Sequence, residues 1–151
     1  MRRMLLLTAA VFATAAAAGA AETPEPAGGL VVHLGCGDGR DTLALQKNPS
    51  QLVYGLDTDP GNVAKARALI AEKKRAGVAV DRFDGERIPL VDNLVNLLVA
   101  DDTGVPAAEI RRVLAPRGVA RVGGKTIVKP WPDEIDEWTH WLHGPDGNAV
   151  A

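Results

Sequence analysis

Three closely spaced glycines and one aspartate are the residues of this chain best suited to holding a small ligand. Gly35, Gly37 and Gly39 directly follow a mostly apolar run of four residues. Glycines let the backbone turn tightly and bring its N–H groups close to a ligand, because no Cβ is in the way. Asp57 follows Gly39 by eighteen residues. An acid at about that distance can accept both hydroxyls of a ribose.

The glycine spacing distinguishes between classes of nucleotide ligand. It is G-x-G-x-G, whereas dinucleotide enzymes use G-x-G-x-x-G, so a pyrophosphate on a helix N-terminus is less expected. We therefore predict an adenosine-type ligand rather than NAD. A tight turn without a ligand would use the same glycines, and the position of Asp57 favours the ligand. Cys36 lies in the turn, either as a small packing side chain or as a reactive thiol, which would need an electropositive site.

The segments around these residues alternate between predicted strands and predicted helices. Strands are predicted at 30–34, 52–56, 78–83, 94–100 and 119–122, and helices at 41–46, from Pro60 to Gly77 with Asp59 as N-cap, and at 105–114. This alternation predicts an α/β fold, a Rossmann-like and mostly parallel sheet of about five strands with right-handed crossovers.

Acidic residues fall at or just beyond several of the predicted strand ends. Besides Asp57, these are Asp84 with Gly85 and Glu86, and Asp101. Ligands of parallel sheets bind at the carboxyl ends of the strands. We therefore expect these residues and the glycine turn to form one site.

The two ends of the sequence differ from this central part. Arg2 and Arg3 precede an uncharged stretch that closes in Ala18-Gly19-Ala20. This pattern is typical of a secretory signal peptide over 1–21, and an uncleaved membrane anchor is the alternative. Either predicts an exported protein, periplasmic or in the cell envelope. Residues 22–29 are predicted to be a linker, 30–128 the ligand-binding domain and 129–151 a tail.

Charge and cysteine content exclude two further classes. Without the predicted signal peptide the chain has 15 basic and 19 acidic residues, so nucleic acid is not an expected partner, because its binding needs a basic surface. Cys36 is the only cysteine, so an intramolecular disulfide is impossible.

The tail is rich in tryptophan and histidine. Trp131, Trp138 and Trp141 are the only three tryptophans of the chain, and together with Leu142 we expect them to form an apolar patch against a partner domain. A second interpretation is a metal site. His140, His143 and Asp146 have the residue types for one, but one aspartate with His-x-x-His is not a complete ligand set.

Four segments together resemble the class I S-adenosylmethionine-dependent methyltransferases. They are Val31–Gly39, Val53–Asp57, Arg82–Asn93 and Glu109–Gly118, and they occur in the order found in that family. The resemblance covers residues 30 to about 122. It implies S-adenosylmethionine as cofactor and an unknown small molecule as methyl acceptor.

The resemblance also implies roles for single residues. The backbone from Gly35 through Cys36 and Gly37 to Gly39 would approach the methionine part of the cofactor. Asp57 would hold the ribose hydroxyls, and Asp84, followed by Gly85, would accept from the adenine amino group. The candidate cofactor-binding set is completed by His33 and Asp101. No nucleophile motif is expected, because transfer from a sulfonium depends on alignment and desolvation.

The chain departs from the family pattern at three places. His33 replaces an acid that helps to fix the cofactor's ammonium group, and Asn96 replaces a common aspartate. The chain also ends soon after the fifth strand, so we expect the sheet to lack the C-terminal β-hairpin. The tail resembles the entry to a pyrroloquinoline-quinone-type β-propeller of exported bacterial proteins. A non-catalytic module that binds an adenosyl ligand or docks on such a propeller is therefore the alternative function.

Overall fold

The computed structural model describes residues 26–102 and 104–132 of the 151-residue chain. Strands and helices alternate through most of this part, as the sequence predicts. The strands are β1 (Gly29–Leu34), β2 (Gln51–Asp57), β3 (Val78–Arg82), β4 (Val95–Ala100), β5 (Leu114–Val122) and β6 (Lys125–Val128). The helices are α1 (Arg40–Leu45), α2 (Pro60–Lys73) and α3 (Ala107–Val113).

All six strands belong to one sheet with the order β3-β2-β1-β4-β5-β6. Every neighbouring pair is parallel except β5 and β6. The chain winds outward from β1 to β3, then returns to the other side of β1 with β4. The strand order therefore reverses beside β1, and in open α/β sheets the crevice above such a point is where ligands bind.

The C-terminal edge of the sheet differs from the one that the sequence predicts. β5 and β6 pair antiparallel, from Val119 with Val128 to Val122 with Lys125. The described chain thus has six strands and an antiparallel hairpin, where about five strands without a hairpin were expected. The hairpin forms because Gly123 and Gly124 adopt left-handed conformations, with φ of 54° and 73°, which lets the chain reverse without an intervening helix.

The predicted start of α2 is confirmed. The Asp59 side chain accepts a hydrogen bond of 2.7 Å from the Gly61 N–H, and Pro60 is the first helical residue. This arrangement satisfies one of the free N–H groups of the first turn. The helix ends earlier than expected, because Lys74 already adopts a left-handed conformation with φ of 50°.

The core consists of two layers on opposite faces of the sheet. α1 and α2 cover the face that bears Val31, Val53 and Val78. α3 packs on the other face, where the buried apolar residues include Val32, Leu34, Leu56, Leu98, Ile110 and Val113. Consecutive strand residues point to opposite faces, and β1 is buried on both. β1 therefore holds the glycine turn that follows it in a fixed position.

Asn96 has a structural role at the opposite end of β1. Its side-chain Oδ1 accepts a hydrogen bond of 2.9 Å from the Leu30 N–H. The same oxygen would lie against any Cβ at Gly29, whose φ is 94°. Asn96 therefore ties the start of β1 to β4.

Candidate cofactor site

The three glycines of the turn after β1 have two different roles. All three have left-handed backbones, with φ of 76° at Gly35, 52° at Gly37 and 87° at Gly39. A Cβ at Gly39 would lie 2.8 Å from the Cβ of Ala66, so this glycine lets α2 approach the turn closely. A Cβ at Gly35 or Gly37 would meet nothing within 4 Å. These two glycines face open space in which a ligand could lie.

Asp57 connects the glycine turn with the start of α2. Its Oδ2 accepts a hydrogen bond of 2.9 Å from the Gly37 N–H, and its Oδ1 accepts one of 2.9 Å from the Asp59 N–H. The Asn62 side-chain amide lies 3.5 Å and 3.4 Å from the two oxygens. Asp57 is only 6% exposed. Its carboxylate is therefore fixed at the edge of the turn, and the lone pairs that these bonds leave free can accept hydroxyl groups.

A cleft of about 160 Å³ lies beside Asp57 at the carboxyl ends of the strands. Gly35 and Phe83 both line it, and the half-buried ring of Phe83 provides an apolar surface for a flat group. The full lining is Leu34, Gly35, Asp57, Thr58, Phe83, Gly85, Asp102 and Gly104. The cleft therefore combines a ribose-type acceptor with an aromatic wall.

Asp84 lies next to this cleft, directly after Phe83. Its Oδ1 accepts hydrogen bonds of 2.8 Å from the N–H groups of Arg87 and Glu86. These two backbone donors lower the pKa of the exposed Asp84 carboxyl below its usual range. The turn continues with Gly85, whose φ of 88° suits glycine. Asp84 is therefore an ionised acceptor, as a contact with an adenine amino group requires.

A second cavity, of about 230 Å³, lies on the other face of β1. Its polar lining residues are His33, Asp41, Lys47 and Asp101, with Ala44, Leu45 and Val99 as the apolar ones. Within the described part of the chain, the side chains of Asp41, Asp101 and Lys47 make no hydrogen bond or ion pair. Two carboxylates and one ammonium group thus face a cavity without protein partners.

His33 is the buried member of this cavity. It is 7% exposed, and its Nδ1 lies 2.8 Å from the hydroxyl of Thr42, which is fully buried. Burial lowers the pKa of His33, although Asp41, Asp101 and Asp57 act in the opposite direction. The imidazole is therefore neutral near pH 7 and does not repel a bound ammonium group.

Cys36 packs beneath the turn rather than facing the cleft. It is 3% exposed and belongs to an apolar cluster with Val63, Ala66 and Val80. Burial raises the pKa of its thiol to about 11, and the nearby Asp57 acts in the same direction. The thiol is thus protonated at neutral pH, which agrees with a packing role and not with a reactive one.

The structure divides the predicted site residues between the two cavities. Asp57, Gly35 and Gly85 line the first, and His33 and Asp101 line the second, with the glycine turn between them. Sequence reasoning missed Asn62, Phe83, Asp41 and Lys47. Asn62 could have been found, because the Asp59 cap places it in the first turn of α2. The other three follow only from the packing of separate elements.

These residues fit the cofactor that the sequence implies. A nucleoside needs an acceptor for its ribose and space near a backbone without Cβ atoms, which Asp57, Gly35 and Gly37 provide. An amino-acid group needs opposite charges for its ammonium and carboxylate, which Asp41, Asp101 and Lys47 can offer. His33 offers no carboxylate at the position where the family has an acid, and the carboxylates that face this cavity come from α1 and from the residue after β4.

Other predicted features fall partly or wholly outside the described residues. The signal peptide, Trp138, Trp141 and the histidine-aspartate group of the tail lie there. Residues 26–102 and 104–132 contain no group of three or more metal-ligating side chains arranged for an ion. None of the helices in that part has both the length and the apolar character needed to cross a bilayer.

Comparison with known families identifies the same segment. A family model described as a methyltransferase domain matches residues 31–118. A trans-aconitate 2-methyltransferase of Methylobacterium nodulans is 40% identical over 129 residues, covering 81% of this chain and 45% of that protein. An arsenite methyltransferase of Halobacterium salinarum is 29% identical over 117 residues, or 72% and 30% of the two chains. The chain spans less than half the length of these curated relatives.

Solved structures agree on the fold. A methyltransferase of Aquifex aeolicus, described as dependent on S-adenosylmethionine, is similar with a TM-score of 0.58 at 23% identity, covering 62% of this chain and 55% of that one. The [4+2]-cyclase SpnF is similar with a TM-score of 0.57 at 24% identity, covering 63% of this chain and 38% of the cyclase. The predicted cofactor is confirmed at the level of the family. The chain belongs to the methyltransferase-domain family and has the Rossmann-like fold of class I S-adenosylmethionine-dependent methyltransferases.

Proposed function

We propose that this chain binds S-adenosylmethionine and transfers its methyl group to a small-molecule acceptor. The observation that carries the proposal is the buried Asp57 carboxylate, held by the Gly37 N–H beside a turn that is open to ligands. The family match over residues 31–118 supports the same activity. Because a fold alone does not imply its chemistry, the cyclase among the solved relatives makes a direct test of the activity necessary.

In this proposal the cofactor lies across the glycine turn. Its nucleoside half occupies the cleft beside Asp57 and Phe83, and Asp84 accepts from the adenine. Its amino-acid half points toward the cavity of His33, with the ammonium near Asp41 and Asp101 and the carboxylate near Lys47. The two cavities lie on opposite faces of β1, so only a ligand that crosses the turn can use both.

When bound, the cofactor supplies an electrophilic methyl group on a sulfonium sulfur. The residues of this chain would hold that group in line with an acceptor and keep water away from it. Such positioning is the main contribution a protein can make to a displacement of this kind. Since His33 is buried against Thr42 and the protonated Cys36 thiol packs beneath the turn, the proposal needs no covalent intermediate with the protein.

The first experiment is calorimetric titration of the full chain with S-adenosylmethionine, S-adenosylhomocysteine and adenosine. We expect micromolar affinity for the first two and weaker binding of adenosine, which uses only the cleft. A folded sample that binds none of the three would overturn the proposal. Methyl transfer itself is then followed with radiolabelled cofactor and pools of small molecules as acceptors.

Two substitutions test the proposed division of the site. Asp41→Asn and Lys47→Met should each weaken S-adenosylhomocysteine binding about tenfold, because one charge-assisted contact is lost, and should leave adenosine binding unchanged. Lys125→Met, on the exposed surface of β6, is the matched control for Lys47. Equal losses of affinity for adenosine and S-adenosylhomocysteine would mean that the amino-acid half of the cofactor binds outside the cavity of His33.

We also propose that the protein is bacterial and exported, and that it precedes a β-propeller in a longer protein. The proposal is supported by the sequence of residues 1–21 and by the tryptophan-rich tail, which ends in a segment similar to a propeller entry. Mass spectrometry of the protein from a bacterial periplasm tests the first part. An intact Met1 together with cytoplasmic retention would contradict export.

A further inference from the structure

One half of the sheet has no helix on its second face. α3 covers the region of β4 and β5, and the link between β3 and β4, residues 83–94, contains no helix. The open face bears Leu30, Leu52, Tyr54 and Ala79. These residues share a face because Leu30 pairs with Leu52 and Tyr54 pairs with Ala79 in the parallel register.

This open face forms an apolar groove of about 430 Å³. Leu90 of the β3–β4 link closes one side, and the strands form the floor. Leu52 is 57% exposed although it stands at the start of a central strand, and Val91, which follows Leu90 in the chain, is 67% exposed. A groove of this kind on a half-covered sheet is normally filled by another element.

The chain leaves the sheet at the same end as this groove. The Lys129 ammonium donates a hydrogen bond of 2.8 Å to the Leu114 carbonyl. Leu114 pairs with Val95, which pairs with Leu30 and so with Leu52. These four residues form one row across the sheet, so Leu114 and Leu52 are about three strand spacings, or roughly 14 Å, apart.

The segment after Pro132 is long enough and has the right composition to fill the groove. Trp138 follows Lys129 by nine residues, which span up to about 30 Å when extended. Trp138, Trp141 and Leu142 have the i, i+3, i+4 spacing of a single apolar face.

We propose that residues 133–151 of this chain dock on the groove over β1, β2 and β3, with Trp138, Trp141 and Leu142 against Leu52, Ala79 and Leu90. This position is at the amino ends of the strands, far from the glycine turn. The inference is thus independent of the proposed methyl transfer and can fail or hold without it.

The test uses disulfide formation in the full chain. Ala79→Cys in the groove is combined with Leu142→Cys in the tail, and the natural Cys36 is buried and does not interfere. The control pair is Thr126→Cys with Leu142→Cys, since Thr126 is exposed and closer to the tail in sequence. We expect the groove pair to form an intramolecular disulfide at least about tenfold faster than the control pair, because docking raises the local concentration of the thiols.

A third substitution links the rate to the groove itself. Leu52→Asp in the groove pair should reduce its rate to that of the control, and the melting temperature of each variant before oxidation shows whether it is folded. Equal rates for the groove and control pairs would overturn the proposal. A disulfide that forms only between two molecules would overturn it in favour of a second copy as the occupant.

Discussion

The two ends of the sheet are built from different kinds of residue. At the carboxyl end lie left-handed glycines, the fixed carboxylate of Asp57 with the cleft beside it, and the carboxylates of Asp41 and Asp101. At the amino end lie an apolar groove and backbone bonds such as that of Asn96 to Leu30. The difference favours ligand binding at the carboxyl end, as proposed, and packing at the amino end. Substitutions at the two ends should therefore separate affinity from stability.

The largest effect on affinity is expected from Asp57→Ala. Removal of two charge-assisted hydrogen bonds to a ribose should weaken S-adenosylhomocysteine binding by roughly 100-fold. Asp59→Ala is the matched control, because it removes an exposed carboxylate and the N-cap of α2 without touching the cleft. Calorimetry on both variants measures the effect. An unchanged affinity in Asp57→Ala would exclude this residue from the site.

The two kinds of glycine should respond differently to a methyl group. Gly39→Ala should lower the free energy of unfolding by about 2 kcal/mol, because its Cβ would overlap Ala66. Gly35→Ala adds a Cβ in open space, so only the cost of a left-handed alanine, about 1 kcal/mol, applies. Urea unfolding measures both. We expect Gly35→Ala to weaken ligand binding more than Gly39→Ala, and the reverse order would contradict the assignment.

At the amino end, Asn96→Ala should affect stability alone. The Leu30 N–H loses its acceptor, which costs about 1 kcal/mol in the free energy of unfolding. Asn48→Ala is the control, since its bond to the Ser50 N–H is exposed and close in sequence. Loss of cofactor affinity in Asn96→Ala would show that the two ends are coupled.

The smallest expected effect is the pH dependence that His33 contributes. Its pKa is lowered in the folded chain, so the unfolded state binds the proton more readily. The contribution of neutral His33 to the free energy of unfolding is fully present above pH 6.5, the ordinary pKa of histidine. It is lost as the pH falls toward the pKa that His33 has in the folded chain. His33→Gln should therefore flatten the decline of the melting temperature between pH 7 and pH 5. An identical decline in both proteins would contradict burial of a neutral imidazole.

Local signals predicted most of the fold. The apolar runs of β1 and β4 and the cap of α2 at Asp59 and Pro60 are patterns that neighbouring residues create together, so they can be read without the fold. β6 was missed because Lys125–Val128 is short, and its turn residues also occur in irregular loops. The early end of α2 was missed because Lys74 is not a typical left-handed residue.

The sequence by itself determined the glycine turn, Asp57 and the family, because spacing along one chain encodes them. Only the tertiary structure decided which side chains share a cavity. It placed Asp41 of α1 and Asp101, the residue after β4, around His33, and it left Leu52 uncovered because α3 packs over the other strands. Contacts between distant segments depend on how helices pack against the sheet, and no local pattern contains that information.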